Sequence, residues 1–428
     1  MRLANLRWWI AGLLAAATAL NYLDRQSLPV LVTEIQKTIP ITDQQYANLQ
    51  MLFLLAYGVM YAGGGKIMDW LGTRLGYVVM ILWWSAATVL HGLVSSVLGL
   101  GVARFLLGLG EGGGFPGSAK AVSEWFPPKE RSFAFGIFNT GSSVGALIAP
   151  PLIALVAVAL GWRWVFFLAG GLGFAWAAAW LLLYDLPERH RLITTSEREY
   201  LKSCRPAEAD KTAGVAPARW IDLFGYRQVW GLLGAKFLSD SAWYFFIFWL
   251  PKYLGDVRHL NIREIGYYAW IPYAFAGVGS FIGGWFSSYL MRCGLTVDHA
   301  RKIALGLSAA LMPVSLLIAA SPLSFAIAFF SMALFGHQFW STIMQTLAAD
   351  MFPSRVVGSV AGLMGAIGSF GAVLFNGLAG FLLTRYQSYS PVFLIAGLMH
   401  PMSFLIVLLV VGRIEPVKAL HPHFVGRS

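Results

Sequence analysis

The 428-residue chain is 57% hydrophobic and 12% charged, with 31 Lys and Arg against 20 Asp and Glu. Soluble domains carry roughly 25% charged residues, so this composition excludes an ordinary soluble domain and points to a polytopic membrane protein. The formal net charge of +11 reports topology and contact with anionic lipid; no aromatic-interleaved basic patch points to nucleic acid.

A run of about 20 apolar residues crosses the hydrocarbon core. Such runs recur at 8–36, 46–66, 77–97, 98–122, 134–159, 162–184, 229–254, 264–290, 299–320, 322–349, 356–384 and 389–413. The expected fold class is therefore an all-α integral membrane protein of twelve transmembrane helices in two six-helix, pseudo-symmetric bundles. The expected division is an N-terminal bundle (1–184), a polar cytoplasmic linker (185–228), a C-terminal bundle (229–413) and a tail (414–428). The first run begins like a secretory signal, with Arg2 and Arg7 ahead of it, but its helical pattern continues through Asp24 and Arg25 to Gln36, too long for a cleaved segment. Most basic residues fall in loops on the side of both termini; the other side holds Lys37, Arg163, Lys252, Arg258, Arg263 and Arg385. That excess places both ends in the cytoplasm. Cys204 and Cys293 fall in loops on that side, which implies no disulfide.

Along the first span, Asn21-Tyr22-Leu23-Asp24-Arg25 sets an acid beside a base at membrane depth, where each charge costs roughly 2.5 to 3.5 kcal/mol and usually serves substrate or ion work. Adjacent helical residues point about 100° apart, so one of the two faces the cavity. Tyr22 lies one turn before Arg25; Tyr57 and Tyr61, on the second span, are candidate site and packing residues respectively. Arg104 and Glu111, seven residues apart on the fourth span, share a face about 10 Å apart along the axis. An arginine fork there can pair with a carboxylate, and a desolvated Glu111 is suited to take a transported proton. The glycines from Gly108 to Gly114 let this span pack closely and bend near its acid. Asn139 and Ser142 on the fifth span are candidate hydroxyl partners. The linker reads as partly helical near Thr195 to Ser203.

In the C-terminal half, Lys236 and Asp240 stand one turn apart, able either to contact substrate or to satisfy each other. Gln338 and Asn376 can hydrogen-bond sugar hydroxyls, whereas His337, alone among apolar neighbours, reads as a core residue. The stretch from Glu124 (EWFPPKERSFAFGIFNTG) resembles that from Asp350 (DMFPSRVVGSVAGLMGAIG), an internal repeat that supports two related halves. Asp69 with Arg74, Glu124 with Arg131, and Asp350 with Arg355 sit where the halves meet on the linker side. They are expected to act as gates that latch the outward-facing state.

GKIMDWLGTRLG, with Gly65, Asp69, Gly72 and Arg74, is similar to the cytoplasmic loop signature of the major facilitator superfamily. NYLDR, RFLLGLGEGGGFPG and SEWFPPKERSFAFGIFNTGSSVGALIAPP resemble its anion:cation symporter family, most of all the bacterial hexuronate transporters. The resemblance implies that Arg25 contacts a substrate carboxylate, that Asp24 takes part in proton coupling and that Tyr57 lines the site. Another carrier of the family has a glutamine near Ser142, so the pocket differs there. Substrate assignment stays open among galactonate, glucarate, phthalate and other organic anions, whose carriers share these motifs. The expected function is import of a sugar-acid anion by proton symport through alternating access. Further expectations are no cofactor beyond the proton gradient, small-anion, proton and lipid partners but no nucleic acid, a monomer, and a multi-pass location in the bacterial inner membrane. With Asp24 and Glu111 ionised, the two acids offset Arg25 and Arg104; protonation makes the cavity receptive to an anion. No phosphate-cradling loop, metal motif or nucleophile elbow is present, so an enzyme is not expected. Two alternatives are an exporter or drug antiporter of the same fold and a non-transporting sensor.

Overall fold

The computed structural model describes residues 5–204, 223–352 and 354–417, without the side chains of 128, 129, 132, 354 and 355. The N-terminal half comprises α1 (Leu6–Gln36), α2 (Asp43–Leu93), α3 (Val97–Glu111), α4 (Gly114–Trp125), α5 (Pro128–Leu160) and α6 (Trp162–Leu183). The linker carries α7 (Thr195–Ser203), capped by Thr194, whose side chain accepts from the Glu197 amide. The C-terminal half comprises α8 (Arg227–Asp256), α9 (Ile262–Arg292), α10 (Val297–Leu311), α11 (Leu323–Met351), α12 (Ser354–Tyr386) and α13 (Ser390–Ile406). A 3₁₀ turn, Met312–Leu317, extends α10, and a π-helical turn, Val407–Val411, extends α13.

Three expected spans differ in form. The second and third join in α2, which bends at Gly72, where φ is 75° and a side chain would be strained. The fourth is interrupted at Gly112–Gly113, directly after Glu111, so that α3 and α4 are separate helices. By length and composition alone, seven helical stretches among the described residues are able to cross a membrane: 43–93, 133–160, 162–183, 297–317, 323–351, 356–386 and 390–411. Outside this set are α1 and α8, which carry the Asp24–Arg25 and Lys236–Asp240 charges, the divided α3–α4, and α9.

Close crossings hold each half together. A Cβ built on Gly108 of α3, or on Gly112 just beyond its end, would stand 2.3 Å from the Phe53 carbonyl or 2.5 Å from the Tyr57 carbonyl of α2. On α5, Gly141 and Gly145 meet the Ala15 and Ala19 carbonyls of α1 in the same way, at 2.1 and 2.5 Å. Small residues four apart let helix backbones touch in a lipid setting, where the hydrophobic effect does not drive helices together. Replacing Gly141 with Ala is therefore expected to force α1 and α5 apart at a cost of about 1–3 kcal/mol, seen as a lower melting midpoint in detergent.

The halves meet at the end remote from the linker, hereafter the far end. There Lys252 of α8 reaches Asp43 of α2 at 2.7 Å, and the Tyr46 hydroxyl donates to the Phe248 carbonyl at 2.5 Å. Lys252 also pairs with Asp256 and is 1% exposed. The sequence reading counts Lys252 among loop bases; it is instead a buried helical residue in the seam. Nearer the linker, a Cβ on Gly365 would meet Tyr61 at 2.7 Å, but among the described residues one on Gly65, Gly136, Gly358 or Gly362 has no neighbour within 4 Å, and no ion pair joins the halves at that end. The molecule is closed at the far end and open toward the linker.

Candidate functional site

Above the far-end seam, α1 presents Arg25 to α3. Its Nε and Nη2 donate to Glu111 Oε2 at 3.1 and 3.0 Å, and Nη2 also donates to Asn21 Oδ1 at 3.1 Å. Both partners are nearly sealed, Arg25 at 3% and Glu111 at 2% exposure. The guanidinium lies over the rings of Tyr57, Tyr22 and Phe53, at 4.7, 5.0 and 5.3 Å from their centroids. Such cation–π contacts strengthen when water is excluded. Nη1 carries no hydrogen bond among the described residues and is not sealed off, so a donor edge remains for an incoming anion.

The glycine crossing between α2 and α3 explains why Glu111 reaches α1. It brings the end of α3 against Phe53 and Tyr57, and the break at Gly112–Gly113 then ends the helix beside Arg25. The spacing argument expected Glu111 to work with Arg104; the pair that forms is Arg25–Glu111, because two helical turns separate Arg104 from the carboxylate. Arg104 is fully buried behind α1, its Nη1 and Nη2 directed at the Arg25 carbonyl at 3.4 and 3.5 Å. In this conformation it braces the backbone of Arg25 and does not line the opening.

Asp24 points away from Arg25, toward Thr88 of α2, and is 2% exposed. Neither of its oxygens, nor Oε1 of Glu111, has a hydrogen-bond partner among the described residues. A buried carboxylate without donors is costly to keep ionised, which suits Asp24 to carry a proton; Glu111, held on one oxygen by Arg25, is suited to do so whenever that guanidinium is taken by another acceptor.

Other expected site residues are distributed unevenly. Ser142 lies beside Tyr22 and donates to the Asn139 carbonyl at 2.6 Å, while Asn139 itself is exposed. Lys236 and Asp240 pair at 2.7 Å. Gln338 is half-buried, and its carbonyl accepts from Thr342 Oγ1 at 2.9 Å. Asn376 is fully enclosed, accepting from Trp249 Nε1 at 2.9 Å and donating to the Ala372 carbonyl at 2.8 Å; both ends of its amide are engaged in packing. His337 shares a 3.0 Å ring-to-ring hydrogen bond with His400 and stacks on Trp243. Tyr61 stacks on Phe115. Tyr244 of α8, which the sequence reading did not select, reaches the arginine cage through Phe248, whose ring is 5.7 Å from its own and 6.1 Å from that of Phe53. Its place in an aromatic run (WYFFIFW) concealed it.

The expected gating residues make contacts inside their own half or with the adjoining linker. Asp69 pairs with Lys120 at 2.7 Å, and Arg74 lies 3.5 Å from Asp185 and donates to the Leu181 carbonyl. Glu124 accepts from Thr73 and Tyr184, both at 2.6 Å, and Arg131 donates to the Phe126 and Ser123 carbonyls. Asp350 pairs with Arg301 at 2.9 Å. The Arg355 side chain lies outside those described. The ion pair that does join the halves, Asp43–Lys252, is at the opposite end. In a variant lacking Cys204 and Cys293, Lys252→Met is therefore expected to loosen the far end. A cysteine at Gln44 should then react with a membrane-impermeant maleimide at least tenfold faster, since breaking a buried pair costs about 3–5 kcal/mol.

Two helical halves, closed at one end around a caged ion pair and parted at the other, are the architecture of a membrane transporter that exposes one central site alternately to each side. Residues 14–340 match the model of the Major Facilitator Superfamily, and the chain belongs to that superfamily; it is a multi-pass membrane protein and not an enzyme. It is similar to the hexuronate transporter of Escherichia coli K12, 33% identical over 95% of this chain and 94% of that protein. It is likewise similar to the galacturonate transporter of Dickeya chrysanthemi, 35% identical over 73% of this chain and 90% of that protein. Among solved structures, a bacterial homologue of the human lysosomal transporter Spinster, in an inward-facing and occupied conformation, superimposes with a TM-score of 0.70. That likeness covers 96% of each chain at 21% identity and concerns the fold alone.

Proposed function

We propose that this protein imports a sugar-acid anion, a hexuronate such as glucuronate or galacturonate, by proton symport across the bacterial inner membrane. The observation that carries the reading is the Arg25–Glu111 pair inside its aromatic cage. The names of the relatives supply the substrate class. Both termini and the linker lie in the cytoplasm, which makes the open end the release side.

The coupling follows from the occupancy of Arg25. When Glu111 is ionised it holds the guanidinium. A proton taken from the far side neutralises Glu111 and frees Nε and Nη2, and a substrate carboxylate replaces the glutamate as the acceptor. The charge inside the site is unchanged by the exchange, one anion and one proton having entered together. Tyr22, Tyr57 and Tyr244 offer hydroxyls to the sugar. Opening toward the cytoplasm releases the substrate, Glu111 loses its proton there, and the ion pair closes again. Asp24, whose two oxygens have no hydrogen-bond partner among the described residues, is a second site for a coupled proton.

The test is uptake of labelled glucuronate into proteoliposomes with an imposed inward proton gradient and galactonate or phthalate as unlabelled competitors. Accumulation above equilibrium that collapses with a protonophore is the expected result. Absence of accumulation overturns the symport reading, and preferential inhibition by phthalate overturns the sugar-acid reading.

A further inference from the structure

Near the candidate site, three acids (Asp24, Glu111 and Asp240) match three cations (Arg25, Arg104 and Lys236) in number, with Asp24 and Arg104 turned away from the opening. Of the three cations, Lys236 alone comes from the C-terminal half, and Asp240, one turn along α8, holds its Nζ at 2.7 Å. This pair is only partly enclosed, with side-chain exposures of 12% and 11%. Asp240 is fixed from behind: a Cβ on Gly368 of α12 would stand 2.3 Å from its Oδ2, so the missing side chain is what admits the carboxylate. One turn earlier on α12, a Cβ on Gly365 would stand 2.7 Å from Tyr61, whose ring lies 5.9 Å from that of Tyr57, and Tyr57 carries the Arg25 guanidinium at 4.7 Å. The Lys236–Asp240 pair thus stands across the aromatic wall from the arginine cage. His337 and His400 lie near Lys236; because they share a hydrogen bond between ring nitrogens, at least one ring is neutral.

Resting on the function proposed above, we propose that Asp240 is a specificity-determining residue that restricts the site to monocarboxylic sugar acids. A monoanion needs one freed cation, which one proton on Glu111 provides. A dicarboxylic sugar acid carries a second negative end and needs a second free cation on the opposite wall. Lys236 is the group placed to serve it, and Asp240 already occupies it. Binding a dianion therefore requires breaking a second partly buried pair, or taking up a second proton, and a carboxylate displaced into an enclosed site without a partner is strongly unfavourable.

Galactonate and galactarate share one six-carbon chain and differ only in a terminal hydroxymethyl or carboxylate, which isolates the charge. In proteoliposomes carrying the wild-type protein, both are titrated against labelled glucuronate uptake, and galactonate is expected to inhibit at a concentration at least tenfold lower. Asp240→Asn is expected to narrow or reverse that ratio by tenfold or more, and adding Lys236→Met to Asp240→Asn to abolish the gain. Equal inhibition of the wild type by the two acids overturns the inference without reference to any variant, as does an Asp240→Asn ratio within twofold of wild type. Wild-type protein that takes up no glucuronate overturns the sugar-acid reading and this inference with it; uptake with an unaltered ratio overturns the inference alone.

Discussion

Glu111→Gln is expected to abolish proton-driven accumulation of substrate while sparing exchange of labelled for unlabelled substrate. Gln keeps the size of the side chain and leaves an amide oxygen for Arg25, so the cage stays folded, but the residue no longer ionises. Without ionisation the step that returns the proton and recloses on Arg25 is lost. Accumulation against a gradient should fall to the equilibrium level, at least a hundredfold below wild type in initial proton-linked rate, with exchange within about threefold. Loss of exchange as well would assign Glu111 to binding or folding and not to coupling.

Arg25→Met should have an effect of equal size but of a different kind. It removes the cation that meets the substrate carboxylate and leaves Glu111 enclosed without its ionic partner, a change that costs about 3–5 kcal/mol in buried pairs. Uptake and exchange should both be lost, and the melting midpoint in detergent should fall. The double variant Arg25→Met with Glu111→Gln separates the two effects, because it removes both charges together. Its stability should recover most of the loss, a coupling that a double-mutant cycle measures directly, while uptake stays absent. A double variant no more stable than Arg25→Met would mean that the pair contributes little to the fold.

Much of this arrangement was legible in the chain because charge is scarce there. Asp24, Arg25, Arg104 and Glu111 stand out against apolar neighbours, and the glycine run after Glu111 announced the bend that ends α3. Which charges pair was not legible. The Arg104–Glu111 spacing placed both groups on one face, lining a common cavity, but the crossing of α2 over Gly108 and Gly112 brings a third helix, α1, to the carboxylate. That depends on backbone approach, which one sequence does not encode in any single residue. The same holds for Asn376, whose amide suits a sugar hydroxyl but is engaged by Trp249 from another helix. Lys252 read as a loop base because it lies near the end of its span; only the seam with Asp43 shows its role. Tyr244 had no polar contrast to mark it.

The two glycine seams carry a consequence for motion. Where helices touch backbone to backbone, no side chain can change rotamer to let them slide, so α1 moves with α5 and α2 moves with α3, each pair as one piece. Arg25 then travels with α5, while Glu111 travels with the Phe53 and Tyr57 rings of α2, so the opening and reclosing of the ion pair reads out how these two helix pairs sit against each other.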